Sequence, residues 1–148
     1  MRVVLDTNVL IDGLKDEYSY QKRIIDEVIS GNLEAFANKQ TLQENKLLMR
    51  QLVDNPDYER DLNSFFGQVN YVMNRRRVHV VRDEEDNKIL ESAVEAAADF
   101  LVTSDNDLLS LGSFQNVKIV NPSEFWVTYK DDEGDNLWKQ WTRFVNSK

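Results

Sequence analysis

Four carboxylates, Asp6, Glu44, Asp86 and Asp105, stand where strands hand over to helices. Asp6 closes the apolar run Val3-Val4-Leu5, and Asp105 follows Phe100-Leu-Val-Thr-Ser104. Asp86 falls in the first turn of a helix expected from Asp83, and Glu44 early in one expected from Leu42. In an open α/β sheet the functional crevice lies outside the carboxyl ends of the strands, so all four acids are expected at one edge. Taken singly, Asp86 and Glu44 read first as a helix cap or a partner for the helix dipole, and Asp6 and Asp105 equally well as caps. Taken together they would repel one another unless cations lay between them.

The chain has no cysteine and a single histidine, His79, which removes thiolate sites and multi-imidazole zinc. Oxygen ligands remain, and these suit a hard cation such as Mg²⁺ or Mn²⁺. His79 lies between Val78 and Val80 and reads as a strand residue rather than a ligand.

The elements that must position these acids are legible as alternating patterns. Arg2–Leu5 reads as a buried strand ending in the helix-starting turn Asp6-Thr7-Asn8. Tyr20, Ile24, Ile25, Val28 and Ile29 have helical spacing, Gly31-Asn32 supplies a stop, and a second strand is expected near Glu34–Ala37. Leu42 to Val53 reads as a helix ended by Asp54-Asn55-Pro56, with another helix running to about Asn74. Val78–Val81 is expected to be a third strand, 83–98 a helix, and Asp99–Thr103 and Val117–Val120 two further buried strands. Strands separated by helices predict an α/β fold: a three-layer α/β/α sandwich around a central parallel sheet of about five strands. The tail from Asp131 is expected to begin as an acidic loop (Asp131, Asp132, Glu133, Asp135). It then carries Leu137, Trp138, Trp141, Phe144 and Val145 as a terminal helix docked on the body or on a partner.

At 148 residues, one domain is the expectation, and no stretch approaches the ~20 apolar residues of a membrane span. The absence of cysteine favours an intracellular, cytoplasmic protein. With 18 basic against 26 acidic residues the net charge is −8, which opposes attraction to a polyanion unless bound divalent ions invert the field locally.

The residues also resemble a known family, the PIN domain, and within it the toxin-like, VapC-type subgroup of toxin-antitoxin pairs. The resemblance rests on Asp6-Thr-Asn-Val-Leu10, on Asp86-Asn-Lys-Ile-Leu-Glu-Ser-Ala93, and on Ala98-Asp-Phe-Leu-Val-Thr-Ser-Asp105-Asn-Asp107-Leu-Leu109. Ile119-Val-Asn-Pro-Ser-Glu-Phe125 looks like the family's last strand and the start of the helix after it. The resemblance implies that residues 1–130 are a nuclease domain, with 131–148 an extension packed on it. It implies that Asp6, Glu44, Asp86 and Asp105 are the catalytic, metal-binding quartet, with Asp107 a further metal-proximal acid. Asn8 and Thr103 would orient the quartet, and Asp83 would stand behind it. The serine that family members often carry before the second acid is missing, since Asn38, Lys39, Gln40 and Thr41 precede Glu44.

The function so implied is Mg²⁺- or Mn²⁺-dependent endoribonuclease, the toxin of a pair, with RNA as substrate, an antitoxin protein as partner, and a homodimer as the assembly. The alternative is a PIN-fold nucleic-acid or protein-binding module with little or no nuclease activity. A haloacid-dehalogenase-type phosphatase would need a second Asp two residues after the first, where Asn8 stands. A receiver-like domain would need a lysine pattern that Thr103-Ser104-Asp105 does not supply. Arg75-Arg76-Arg77, Lys22, Arg23, Lys46 and Arg50 could hold phosphates, though the arginine run reads first as a solvated helix end. Phe65, Phe66 and Tyr71 could stack bases but read first as core or dimer surface.

Overall fold

The computed structural model describes residues 1–52 and 54–146, and the side chains of all of these except residues 14, 132, 133 and 135–138. In chain order the elements are β1 (Arg2–Leu5), α1 (Thr7–Lys15), α2 (Tyr20–Ile29), β2 (Glu34–Asn38), α3 (Lys39–Leu52), α4 (Pro56–Gln68) and β3 (Asn70–Val72). Then follow α5 (Glu84–Glu95), β4 (Phe100–Val102), α6 (Asn106–Leu109), β5 (Ser113–Phe114), β6 (Val117–Val120) and α7 (Pro122–Asn146).

The six strands form one sheet in the order β3-β2-β1-β4-β6-β5, parallel except for the edge strand β5. β1 makes the reason plain. Val3 is wholly buried on one face and Val4 on the other, so the strand is apolar throughout rather than alternating. The Val3 face is covered by α2, α3, α4 and α7 through Ile24, Ile25, Met49, Leu62 and Phe125. The Val4 face is covered by α5 and α6 through Leu90, Ala93 and Leu108. Burying each large apolar side chain stabilises by about 1.5–3 kcal/mol, enough in sum to hold three layers without a disulfide. The three-layer α/β/α fold is as expected, with one more strand.

Local chemistry sets the boundaries. Ser19 caps α2 by accepting from the Lys22 N–H, and Gly31, at φ +83, leaves the helix by a conformation that side chains rarely adopt. Asn55 and Pro56 start α4. Gly13 lets α1 lie against α2, since a Cβ there would stand 2.7 Å from Ile25 Cδ1.

Four expectations are corrected. Residues 78–81 are not a strand, and His79 is exposed in irregular chain. The third strand is Asn70–Val72, which pairs with Phe36–Asn38 and ends α4 at Gln68, six residues short of Asn74. The N–H groups of residues 78–81 have other partners: Val78 donates to Glu91 Oε1 at 2.8 Å, and Val80 and Val81 both donate to Asn87 Oδ1 at 3.1 Å. Side chains of α5 occupy the place a neighbouring strand would take. Nor is Arg75-Arg76-Arg77 a helix end, because it follows β3 in irregular chain.

Finally, the acidic stretch from Asp131 is not a loop but the middle of α7, which runs unbroken to Asn146. Gly134 is the weakest helix former there, and one such residue costs only ~1 kcal/mol. Of the aromatic-bearing residues expected to dock, Trp141, Phe144 and Val145 are exposed. Leu137 and Trp138 lie outside the described side chains, and Val53, expected to end α3, lies outside the described residues. Among the described residues no helix is long and apolar enough to cross a membrane.

Candidate functional site

Topology brings the first and last acids together. β1 sits beside β4 with Leu5 opposite Val102, and the Asp6 N–H donates to Val102 O at 2.9 Å. From β1 the chain proceeds outward to β2 and β3, and from β4 outward to β6. The gap between their carboxyl ends is therefore the switch point of the sheet, where open α/β folds form a crevice. Asp6 lies on one side of it and Asp105 on the other.

One threonine joins them. Thr103 is fully buried, its hydroxyl donates to Asp6 Oδ2 at 2.8 Å, and the same oxygen accepts the Asp105 N–H at 3.0 Å. Asp105 in turn caps α6, with Oδ1 accepting the Asp107 N–H at 2.9 Å. Asp86, in the first turn of α5, completes a group of three and is buried like Asp6.

The electrostatics show how closely the three interact. Burial pushes the Asp6 carboxyl up and the Asp105 charge adds to that, against the Thr103 hydroxyl and the Thr7 and Asn8 N–H groups, which favour the ionised form. Asp86 is pushed up to about 7, first by burial, then by its hydrogen bond to Asp105 and that residue's charge, then by Asp83 and Asp6. Like charges crowded in a desolvated place make full ionisation unfavourable, and a divalent cation among them would add an attraction to each carboxylate that opposes their repulsion. The donor set is oxygen only, as Mg²⁺ or Mn²⁺ requires. The carboxylates are not drawn in around a point, since among the described residues no three acids, histidines or cysteines stand at mutual spacings that already enclose an ion.

The remaining expected residues lie outside this group of three, several of them in contact with it. Glu44 is exposed on the first turns of α3, 3.5 Å from Gln40 Nε2, and its field falls on Lys88 of α5 rather than on Asp6 or Asp86. Asp107 is exposed and meets Asp105 through its backbone. Asn8 has an exposed side chain and acts on Asp6 through its N–H. Asp83 caps α5 by accepting from the Glu85 N–H.

Two buried asparagines were missed. Asn45 accepts from Thr7 Oγ1 at 3.1 Å and fastens α3 to the turn carrying Asp6. Its signal was available, because Leu42, Asn45 and Met49 share one buried helical stripe in which only Asn45 is polar. Asn87, beside Asp86, accepts from Val80 and Val81 and donates to Val81 O at 2.9 Å, holding the chain that leads to the site.

Of the basic candidates, Lys22 is committed elsewhere, between Asp26 and Asp61. Arg23 lies over Tyr20 and Trp126, and Lys46 over Phe66. Phe65 and Phe66 are core, while Tyr71 is exposed on β3.

An acidic group at the switch point of a mostly parallel, helix-covered sheet defines a class of α/β proteins whose crevice opens at the carboxyl ends of the central strands. The chain belongs to the PIN-domain family, whose model matches residues 2–107, well over half of the chain. It is 28% identical over 139 residues to the uncharacterized protein MJ1680 of Methanocaldococcus jannaschii, covering 84% of this chain and 89% of that protein. Its fold is similar to a chain of Rickettsia felis VapBC2, solved bound to a DNA fragment from their promoter. The TM-score is 0.57 at 13% identity, over 82% of this chain and 98% of that one.

Proposed function

We propose that the protein is a metal-dependent endoribonuclease in which Asp6, Asp86 and Asp105 hold one or two Mg²⁺ or Mn²⁺ ions, with Glu44 and Asp107 at the rim. The observation that supports this most directly is the unfavourable crowding of three carboxylates that Thr103 and the switch point force together. A divalent ion held there supplies acidified water and positive charge for the phosphoryl oxygens. The chain's own residues then orient: Thr103 fixes the Asp6 carboxylate and the Asp105 backbone, Asn45 fixes Thr7, and Asp83 starts the helix that presents Asp86. Membership of the PIN family supports the reaction class. The likeness of fold to a VapBC2 chain accords with the toxin of a toxin-antitoxin pair, with an antitoxin and a second copy as partners and the cytoplasm as the place of action. One observation favours a second reading, a PIN-fold binding module: Glu44 is exposed and its charge is not among those acting on Asp6 or Asp86.

Mn²⁺ titration by calorimetry and cleavage of single-stranded RNA, on wild type, Asp6→Asn and Asp105→Asn, decide between them. The nuclease reading expects Mn²⁺ binding that weakens at least tenfold and cleavage that falls at least a hundredfold in either variant. Equal behaviour of all three proteins sinks it. Expression without a partner should arrest growth, and the Asp6→Asn form should not.

A further inference from the structure

Residues 75–82 read Arg-Arg-Arg-Val-His-Val-Val-Arg, four cations with no acid. Without these four, 14 basic residues face 26 acids, so the rest of the chain has a balance of −12. Positive charge is therefore concentrated in one strap of a strongly acidic protein. The structure shows where that strap goes. The Arg75 N–H donates to Glu95 Oε1 near the carboxyl end of α5, Val78 donates to Glu91, and Val80 and Val81 donate to Asn87 beside Asp86. The strap thus climbs α5 in single file, from Glu95 to the acidic group. Those nine residues of helix correspond to about 13 Å at ~1.5 Å per residue.

Held by its backbone, the strap turns its cations outward. Arg75, Arg76, Arg77 and Arg82 are all exposed, and among the described residues no ion pair engages any of them. The α5 carboxylates nearest the arginine run, Glu91 and Glu95, are occupied by N–H groups of the strap and by the Asn74 amide. At its upper end the strap shares a shallow recess, lined by Val80, Val81, Arg82, Asp107, Ser110 and Leu111, with the helix that Asp105 caps. The acids exposed there are Asp83, Glu84, Glu85 and Asp107, and Lys88 offsets Glu85.

We propose that this strap is the track for one flank of a single-stranded RNA, its phosphates lying on Arg75–Arg77 and Arg82 and leading to the acidic group. A single file of cations matches one line of phosphates rather than the two of a duplex. Its length corresponds to about four stacked nucleotides at ~3.4 Å each. The inference rests on the nuclease reading for what happens at the end of the track, but binding itself needs no metal.

The experiment is fluorescence anisotropy of labelled single-stranded RNA with EDTA present, over a range of salt. It compares wild type, the triple variant Arg75→Gln/Arg76→Gln/Arg77→Gln, and a charge-matched control, Lys15→Gln/Lys118→Gln/Lys139→Gln. The track expects at least tenfold weaker binding in the arginine variant. It also expects a log–log salt slope shallower by about 2, since each lost phosphate contact contributes ~0.7, and a control close to wild type. Equal losses in both variants, or no RNA binding by wild type, overturn it. So does arginine-dependent binding of polyglutamate as tight as that of RNA, which would assign the strap to an acidic protein. Arginine-dependent RNA binding without Mn²⁺-dependent cleavage would uphold the track and refute the nuclease.

Discussion

Two of the places where the described residues bury charge treat it in opposite ways. Between α2 and α4, Lys22 lies nearly buried with Asp26 and Asp61 on either side of it, the latter at 3.3 Å, and the buried Tyr58 hydroxyl donates to Leu10 O nearby. Burial pulls the Lys22 ammonium down, but the two carboxylates push it up and prevail, so it stays charged. At the switch point, Asp6, Asp86 and Asp105 crowd together, and among the described residues no ion pair reaches them; Lys88 bonds to Glu85 instead. The first cluster is paired from within, its one cation held by two half-exposed carboxylates. The second is left in surplus, and a surplus that folding does not relieve calls for a ligand of opposite sign.

The contrast can be tested by pH. An acid whose folded pKa is raised favours folding when protonated. Its contribution is fully present below the unfolded carboxylate value near 4 and is lost as pH rises through about 7 for Asp86. Asp6 is shifted in the same direction. Metal-free protein should therefore lose stability between pH 4 and pH 8, by roughly 2–3 kcal/mol, less than the full shift because Asp105 shares the titration and solvent screens it. Mn²⁺ should restore it at pH 8 and do little at pH 4. Asp86→Asn should flatten the metal-free curve and abolish most of the Mn²⁺ response. Urea melts across the pH range with EDTA or Mn²⁺ check this, and a metal-free curve flat in wild type would remove the surplus.

A smaller effect is expected at the balanced cluster. Lys22→Met leaves Asp26 and Asp61 facing each other, but both are about half exposed, so solvent screens them and the loss should be about 1–2 kcal/mol. It should not alter the Mn²⁺ response in the same melts; a changed response would mean that the two clusters communicate. Smallest of all should be Glu44→Gln. Its side chain is exposed and its charge is not among those acting on Asp6 or Asp86, so stability should change by less than about 0.5 kcal/mol and Mn²⁺ affinity by less than threefold. A tenfold loss of Mn²⁺ affinity would bring Glu44 into the ion's coordination and complete the quartet.

Much of the site was legible because chain order and strand chemistry dictate it. Val3-Val4-Leu5 could only be a buried strand, and an acid directly after such a strand must emerge at its carboxyl edge. The same holds for Phe100-Leu-Val and Asp105. The third strand was illegible. Val78–Val81 has the composition of a strand, yet Asn87 and Glu91 take its N–H groups, while the short Asn70–Val72 wins the sheet edge beside β2.

Sequence alone determined the alternation of strands and helices, the four acids at their junctions and the surplus of negative charge, since these follow from side-chain chemistry and local periodicity. Only tertiary structure decided that Thr103 couples Asp6 to Asp105, that Glu44 is exposed beside Gln40, and that the arginine strap runs along α5 toward Asp86. These depend on which strand lies beside which and on where each buried N–H finds its acceptor. That competition is settled among residues up to 97 positions apart, beyond the reach of any local pattern.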